Sequence, residues 1–434
     1  MAIVSFLLSV AEPSGFWITI IRAFENVTNN YVLAIIFLTV IIKLIWTPID
    51  MFNRRSQQKM SLIQAQMQPE LEIINKKYAK DPNLLKQKQN EVYKKYNGKS
   101  MGGCFLMLVF MILNLTIFFS LFSGLNLMSS YKISSSYDSL KYTYANCLNV
   151  TNQYIENNPG NENIFLDYQS ISFEIDSKNN QIVMYQTIDQ TKTELARSDY
   201  KNDFSFKVEE EVDGEIQEVT KSSNVYIVDL INKLDEIVLK EESIEGSEEI
   251  VKFTMQDAVE KSSLSLIQNK YEQTKESFLW IDNIWISDSP FNQSIVDYNG
   301  FVGQVGSSNI EEGEEVIYNS FMTQLRETES RANGYFILPL LCILASVLTT
   351  LLSSKIGKNK NNQTKQNKWF LIVLPIIFGI FALFYNSVFA IYMLISQVMT
   401  AITLPLQNLI LNKIESNRIK KEEKKVEVDY TRKF

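Results

Sequence analysis

The chain has 434 residues, 46% of them hydrophobic, a formal net charge of -7, three cysteines and no histidine. Without histidine or a cysteine cluster it lacks the usual ligands of a transition-metal site, so we expect no metal. Cys104 and Cys342 lie in long apolar segments, and the sequence therefore predicts no disulfide framework. It also has no glycine-rich phosphate loop and no nucleophile elbow, so we expect no catalytic residues and no cofactor.

The N-terminal segment, residues 1–30, begins with the apolar stretch Met1 to Val10, a poor match to a secretory signal because it lacks a basic start. Gly15 to Val27 mixes aromatic and aliphatic residues with one arginine and one glutamate. This pattern predicts a helix lying in the outer membrane interface. A core helix of an outer domain is the alternative.

The first predicted span, residues 31–50, contains a lysine, Lys43, within the apolar run YVLAIIFLTVIIKLIWT. Thr39, Lys43 and Thr47 are spaced four apart, so they form one stripe on a helix, and Asp50 follows one turn later. A charge at membrane depth costs roughly 2.5 to 3.5 kcal/mol and usually faces a polar cavity. Lys43 either extends its amine to the inner interface or belongs to a charged, polar-lined groove.

Residues 51–100 carry 11 Lys and Arg against 4 Asp and Glu. Apolar residues recur at three and four, which predicts two amphipathic helices, Asn53 to Lys80 and Asn83 to Tyr96, turned at Asp81-Pro82. Pro69 is expected to bend the first helix. The segment is thus predicted to be a basic helical hairpin, with a solvated charged linker as the alternative.

Four further apolar segments are each long enough to span a bilayer core, which takes about 17 to 25 residues. They are 101–124, 335–354, 369–385 and 387–411, the last two separated at Asn386-Ser387, with a loop at 355–368 and a tail at 412–434. Hydroxyl groups line one face of three of these spans. They are Thr116 and Ser120; Ser346 and Thr350; and Tyr392, Ser396 and Thr400. Such groups either join helix to helix or, together with Lys43, line a hydrophilic groove.

The segment 125–334 is acidic, with 16 basic against 37 acidic residues. Alternating patterns about Asn179-Asn180 and Asp213-Gly214 predict β-hairpins, and Val225 to Leu239 and Thr254 to Glu276 predict helices. We expect an α+β domain whose folded part is 131–275. Its acidic runs, including Glu311 to Glu315, are interpreted as solvated faces.

Basic residues collect on one side of the predicted spans, since the loop 355–368 has 5 lysines and no acid and the tail 413–434 has 8 basic against 5 acidic residues. The N-terminus is therefore predicted outside and the C-terminus in the cytoplasm of a plasma-membrane, multi-pass protein. The predicted fold is an all-α polytopic membrane protein: a five-span helical bundle with a cytoplasmic helical hairpin and an α+β extracellular insertion domain.

Several motifs in these segments resemble the YidC/Oxa/Alb membrane protein insertase family. They are NYVLAIIFLTVIIKL with N at 30 and Y at 31, QQKMSLIQAQMQPELEIINKKY at 57–78, Gly102-Gly103-Cys104, Phe278 to Ile281 with Asp288, Ile337-Leu338-Pro339 and Ile391-Tyr392. The resemblance covers residues 15–124 and 278–412. It implies a groove open to the cytoplasm and to lipid, closed outside, and lined by a cation at Lys43 where the family has arginine.

This sequence departs from the family in the residues after Cys104, at Asn386-Ser387-Val388 and at Met393. The resemblance implies that the protein is not an enzyme, that it inserts nascent membrane proteins, and that its partners include the Sec translocon, the ribosome and anionic lipids. No specific nucleic acid is expected. The alternatives are a small-solute or ion transporter with an extracellular domain, although the sequence shows no internal repeat, and a receptor anchored by its spans.

Overall fold

The computed structural model describes residues 12–212, 215–243, 250–356 and 368–431. The predictions for Met1 to Val10, for the Asp213-Gly214 turn and for most of the loop 355–368 lie outside these residues. The chain forms two compact units. The helical unit comprises residues 15–125, 287–289 and 335–431, and the mixed unit comprises 126–286 and 290–334.

Ten α-helices are described. They are α1 (Phe16–Thr28), α2 (Tyr31–Lys77), α3 (Pro82–Asn157), α4 (Ser223–Asp235), α5 (Met255–Thr274), α6 (Tyr298–Val305), α7 (Glu314–Glu329), α8 (Ile337–Ile356), α9 (Lys368–Phe384) and α10 (Ser387–Thr431). Seven strands are also described. They are β1 (Ile171–Asp176), β2 (Gln181–Ile188), β3 (Thr191–Asp199), β4 (Phe206–Val212), β5 (Glu215–Lys221), β6 (Val238–Ser243) and β7 (Ile250–Thr254).

Among the described residues, four helical segments are long and apolar enough to cross a membrane. They are Tyr31–Ser56, Leu108–Asn157, Ile337–Lys355 and Ser387–Ile414, and Pro375–Phe384 is a shorter apolar helix. The chain is therefore a multi-pass helical membrane protein with a small sheet-containing unit. The count of five spans stays a prediction.

The helical hairpin of residues 51–100 is continuous with the helices before and after it. Its first arm is the end of α2 and its second arm is the start of α3, so the two separate helices expected from the sequence are extensions of longer ones. Asp81 turns the chain, because its side chain accepts hydrogen bonds from the amides of Asn83 and Leu84, both at 3.1 Å. Proline at position 82 suits a first helical turn, where its missing N–H is not needed.

Helix α10 packs against α2 and α8, α8 packs against α9, and α1 packs against α2. The predicted break at Asn386-Ser387 is confirmed, since α9 ends two residues earlier and the Asn386 side chain caps α10 by accepting the Phe389 amide at 3.0 Å. Aromatic rings join α3 to the start of α10. Phe122 lies 4.7 Å from Tyr385 and 4.8 Å from Phe389, between ring centroids.

The mixed unit contains three antiparallel sheets, with strand orders β1-β2-β3, β4-β5 and β6-β7. The hairpin about Asn179-Asn180 is confirmed, since Asp176 pairs with Gln181 at its closing end. Two residues, Asp189 and Gln190, connect β2 to β3, and both have positive φ angles of 49° and 67°. This is the backbone twist that two-residue hairpins favour.

The core of the mixed unit extends beyond the limit expected from the sequence. Helices α6 and α7 add buried side chains, including Phe301, Tyr318 and Phe321, to a core that contains Tyr137 and Tyr144 of α3. Apolar burial of this kind is the main stabilising contribution in a folded unit. The folded part therefore reaches residue 334, and the limit at residue 275 is wrong.

Candidate functional site

Lys43 lies on a stripe of polar side chains along α2. Asn30 caps the start of the helix, because its side chain accepts the Leu33 amide at 3.0 Å and so satisfies one of the first free N–H groups. The apolar run that follows places Ile35, Leu38 and Thr39 in the packed interior. Lys43 and Thr47 are half-buried one and two turns further along.

The Lys43 ammonium joins α2 to α10. Its Nζ donates a hydrogen bond to Thr400 Oγ1 at 3.3 Å. The Thr400 hydroxyl donates in turn to the carbonyl of Ser396 at 2.8 Å, so its oxygen presents a lone pair to the lysine. Two residues that are 357 positions apart thus form one polar contact between apolar helices.

Charged residues continue the stripe beyond Thr47. Asp50 interacts electrostatically with Lys43 and with Arg54. Positions 43, 47, 50 and 54 are spaced by four, three and four, which keeps all of them on one face of the helix. The sequence analysis did not identify Arg54. Its spacing of four from Asp50 nevertheless indicates that it lies on the same face of the helix as Lys43 and Asp50.

Several of the other hydroxyl groups predicted for the groove donate hydrogen bonds to carbonyls of their own helices. Thr39 donates to the carbonyl of Ile35 at 2.7 Å, Thr47 to that of Lys43 at 2.7 Å, and Thr350 to that of Ser346 at 2.7 Å. Such bonds satisfy a hydroxyl without a partner helix. The oxygens keep lone pairs for a further donor.

On α3, Thr116 and Ser120 are exposed. Thr116 donates to the Ile112 carbonyl at 2.9 Å, and Ser120 accepts from the indole nitrogen of Trp17 on α1 at 2.9 Å. Tyr392 and Ser346 are buried in the helical unit. Within the described residues, Thr400 is the predicted groove residue that accepts a hydrogen bond from the Lys43 ammonium.

Two amides on α10 were missed by the sequence reasoning. Gln397 and Gln407 are 9% and 2% exposed in the mainly apolar first part of this helix. Within the part of the chain that the structure describes, Gln397 Nε2 and Gln407 Oε1 have no hydrogen-bond partner. Both flank Thr400 at helical spacing, and this spacing of amides in an apolar segment is the signal that could have identified them.

Outside the spans, the two arms of the helical hairpin are joined by a polar clamp. Glu70 on the first arm accepts hydrogen bonds from Lys95 Nζ at 2.7 Å and from Tyr96 Oη at 2.8 Å. These donors, Lys95 first, hold the pKa of the Glu70 carboxyl below its usual range. Gln89 on the second arm also donates a hydrogen bond to Asn75 on the first arm at 2.7 Å. This bond is a further contact between the two arms.

Asp288 caps the first helical turn of α8. Its two carboxylate oxygens accept the amides of Tyr335 and Leu338 at 2.7 and 2.6 Å. A carboxylate at a helix N-terminus satisfies free N–H groups and complements the helix dipole. The aspartate of the motif formed by Phe278 to Ile281 and Asp288 therefore has a structural role.

The arrangement is suited to binding an acidic or polar group. A cation, hydroxyl groups and amides lie within apolar helices, and an acidic or polar segment entering there gains hydrogen bonds and Coulomb attraction. Among the described residues, no group of three or more Asp, Glu, Cys or His side chains is placed to hold a metal ion.

Residues 23–167 match the family model described as 60Kd inner membrane protein. Proteins named Membrane protein insertase YidC are similar to parts of the chain. The Clostridium tetani protein is 40% identical over 84 residues, 19% of this chain and 36% of its own length. The Clostridium perfringens protein is 35% identical over 100 residues, 23% of this chain and 40% of its own.

The Fusobacterium nucleatum protein of the same name is 36% identical over 104 residues, 23% of this chain and 47% of its own length. The chain thus spans less than half the length of each of these relatives. No solved structure matches the chain. The family match contains Lys43 and the helical hairpin, whereas most of the mixed unit lies beyond it.

Proposed function

We propose that this chain, which belongs to the YidC/Oxa/Alb family, inserts nascent membrane proteins into the plasma membrane and assists their folding. The observation that carries the proposal is the contact of Lys43 with Thr400, because it places a cation among hydroxyl groups on two apolar helices. The comparisons support this function over a small-solute transporter or a receptor, since the similar proteins are named insertases.

The proposed topology has five spans, with the N-terminus outside and the C-terminus in the cytoplasm. Helix α9 is 17 residues long, which is within the range of about 17 to 25 residues for a spanning helix. The excess of Lys and Arg in 51–100, in 355–368 and in the tail supports this orientation. The mixed unit is then extracellular.

In the proposed mechanism, Lys43 and its polar neighbours lower the free energy needed to move a hydrophilic segment into the bilayer. The groove lining is Thr39, Thr47, Thr116, Ser120, Ser346, Thr350, Tyr392, Ser396 and Thr400. An acidic segment gains most, because opposite charges attract strongly where water is scarce. Lysine has a compact ammonium in place of the planar guanidinium of arginine. It therefore attracts a carboxylate without forming a bidentate hydrogen-bonded pair with it.

The helical hairpin receives the nascent chain in this proposal. Its surplus of basic residues suits contact with anionic lipid headgroups and with ribosomal RNA phosphates, without reading any nucleic-acid sequence. The family resemblance extends the set of partners to the Sec translocon. No cofactor is required, because burial of the substrate's apolar helix in lipid supplies the driving force.

The test is insertion by purified protein in vesicles. The substrate is a single-span protein with a short acidic outer tail, and protection of that tail from added protease measures insertion. We expect Lys43→Ala to reduce insertion about tenfold or more, equivalent to ~1.4 kcal/mol of lost attraction, and Lys43→Arg to retain it.

Lys233→Ala is the matched control, since Lys233 lies in the mixed unit, outside the groove and the hairpin, and pairs with the exposed Glu156. It is expected to insert substrate like the parent. A substrate whose acidic tail residues are changed to amides should depend less on Lys43. Equal insertion by Lys43→Ala and the parent would mean that the lysine only extends its amine to the interface.

A further inference from the structure

The mixed unit contains a cleft that is open to solvent on one side. Its walls come from α3, α5, α6, α7 and the segment before α6. They are mainly apolar and aromatic, with Tyr137, Trp285, Ile295, Phe301, Tyr318 and Met322 among them.

Several buried polar atoms of residues that line this cleft have no hydrogen-bond partner among the described residues. They include the hydroxyls of Tyr137 and Tyr271 and Oε1 of Gln304. Tyr271 is only 5% exposed, and its hydroxyl faces Ser294 without reaching hydrogen-bonding geometry. Buried polar groups in native proteins are nearly always satisfied, so such atoms indicate that a ligand or water completes the site.

The charged groups that line the cleft are already paired. Lys132 Nζ lies 2.7 Å from a Glu276 oxygen. Lys275 Nζ lies 2.6 Å from Glu272 and 3.2 Å from Asp282. A charged ligand would have to displace one of these partners, so the lining favours an uncharged one.

We propose that this cleft binds a short, uncharged apolar segment of a polypeptide. Tyr271 offers a hydroxyl donor and Gln304 offers a carbonyl acceptor, which together match the C=O and N–H of the peptide backbone. The aromatic walls accept an adjacent apolar side chain, as in other pockets where a few polar groups orient an apolar ligand. This inference does not depend on the proposed insertase function.

The test uses the full-length protein in lipid nanodiscs and the uncharged capped peptide acetyl-Gly-Phe-Leu-Gly-amide, followed by isothermal titration calorimetry. We expect saturable binding by the parent. Tyr271→Phe removes one hydroxyl and should weaken binding about two- to tenfold, as loss of one net hydrogen bond does. Met322→Trp should abolish binding, because the larger side chain fills a cleft whose wall it already forms.

Tyr168→Phe is the matched control, because Tyr168 lies in the mixed unit, packs against Phe253 and does not line the cleft. It should bind like the parent, and so should Lys43→Ala, which separates this site from the groove. Circular dichroism and thermal unfolding of each variant show whether it is folded. Binding that is unchanged in folded Tyr271→Phe and Met322→Trp would overturn the proposal. Saturable, cleft-dependent binding of the non-peptide N-phenyl-1-naphthylamine with none of the peptide would also overturn it.

Discussion

At the scale of single residues, the Lys43 ammonium is held but not neutralised. It donates one of its three N–H groups to the uncharged Thr400 hydroxyl. Asp50 is seven positions away, about 10 Å along the helix axis, so it attracts Lys43 without forming an ion pair with it. Arg54 shares the attraction of Asp50. The stripe therefore retains net positive charge for an acidic partner.

A second buried lysine has the opposite character. Lys141 Nζ lies 3.4 Å from Asp138 and 3.2 Å from Glu314, and all three side chains are at most 4% exposed. Asn224 bridges the site, since it accepts from Lys141 at 3.2 Å and donates to Glu314 at 2.9 Å. Because two carboxylates compensate its positive charge, Lys141 is interpreted as a residue that stabilises the core of the mixed unit.

We expect Lys141→Met to destabilise the mixed unit by about 3 to 5 kcal/mol, because it leaves two buried carboxylates without their cation. Urea unfolding of the full chain, followed by near-ultraviolet circular dichroism, measures the loss. Lys240→Met is the control, since Lys240 pairs with Glu242 on an exposed strand and should cost less than ~1 kcal/mol. A similar loss in both variants would refute a special role for the buried network.

Glu260 on α5 gives the mixed unit a pH dependence. Burial, followed by the neighbouring Asp257 charge, raises the pKa of its carboxyl to about 7, while Gln256 and Lys261 lower it and Glu327 raises it. A raised folded-state pKa contributes stability that is full below the ordinary glutamate value of about 4.5 and is lost as the pH rises through 7.

Glu260→Gln removes this titration. We expect the variant to be more stable than the parent at pH 8 by about 1 to 2 kcal/mol, allowing for partial solvent screening, and similar to it at pH 5. Urea unfolding at the two pH values measures the difference. Glu272→Gln, at an exposed position on the same helix, is the control. A difference that is the same at pH 5 and pH 8 would show that Glu260 does not titrate as stated.

The sequence predicted which residues share a helix face but not which faces meet. Thr39, Lys43 and Thr47 follow from spacing alone, because helical periodicity is local. The pairing of Lys43 with Thr400 depends on how α2 packs on α10, and no local pattern encodes that. For the same reason, Glu314 reads as part of an exposed acidic run, although Lys141 and Asn224 accompany it in the core.

At the scale of elements, the helical hairpin is joined to the spans by unbroken helices. Pro48 and Pro69 both lie inside α2. A proline removes one backbone hydrogen bond and strains the turn before it, which makes these positions the places where the arm can tilt. The Glu70 clamp to Lys95 and Tyr96 joins the two arms to each other.

The sequence predicted the hairpin and its turn but not the continuity of its arms with α2 and α3. Amphipathic periodicity identifies the apolar face of a helix but not the residue at which the helix ends. A change from apolar to mixed composition therefore resembles the end of one helix and the start of another. The backbone hydrogen bonds of a helix continue through such a change unless a residue interrupts them. At Asn386 the interruption is visible, because that side chain caps the next helix.

We expect deletion of residues 57–93, bridged by a short Gly-Ser linker, to abolish insertion while leaving the protein in the membrane. The deletion spares Lys43, Asp50 and Arg54, so the stripe of α2 is intact. The vesicle assay measures insertion and sedimentation with membranes measures integration. The double variant Lys88→Ala, Glu91→Ala removes an exposed pair on the hairpin and is the control. Normal insertion by the deletion variant would exclude a receiving role for the hairpin.

At the scale of the whole molecule, a folded acidic unit lies in the sequence between two of the apolar helical segments. The segment 125–334 has 37 acidic and 16 basic residues, which opposes the basic character of 51–100. Composition predicted this contrast and the α+β character of the unit. It did not predict the C-terminal limit, because α6 and α7 are separated from the sheets in sequence and only tertiary packing places them in the same core.

This architecture predicts that residues 126–334 fold alone and that 131–275 do not. The shorter fragment lacks Phe301, Tyr318 and Phe321, and losing buried aromatic side chains costs about 3 to 5 kcal/mol each, a large part of the stability of such a unit. It also lacks Glu314, the partner of Lys141. Circular dichroism and cooperative urea unfolding of the two purified fragments measure the difference. Cooperative unfolding of 131–275 would refute this limit.

The remaining helical unit should insert substrate without the mixed unit, provided that Asp288 is kept. The variant to build joins Leu125 through a Gly-Ser linker to Ser287-Asp288-Ser289, and these through a second linker to Tyr335. Asp288 then still caps α8 through the amides of Tyr335 and Leu338, and we expect insertion close to that of the parent. The same variant with Asp288→Ala loses both carboxylate hydrogen bonds and about 0.5 to 2 kcal/mol of helix stability, and its insertion should fall. If the first variant is stable in the membrane but inserts nothing, the mixed unit takes part in insertion and the proposed division of labour between the two units is wrong.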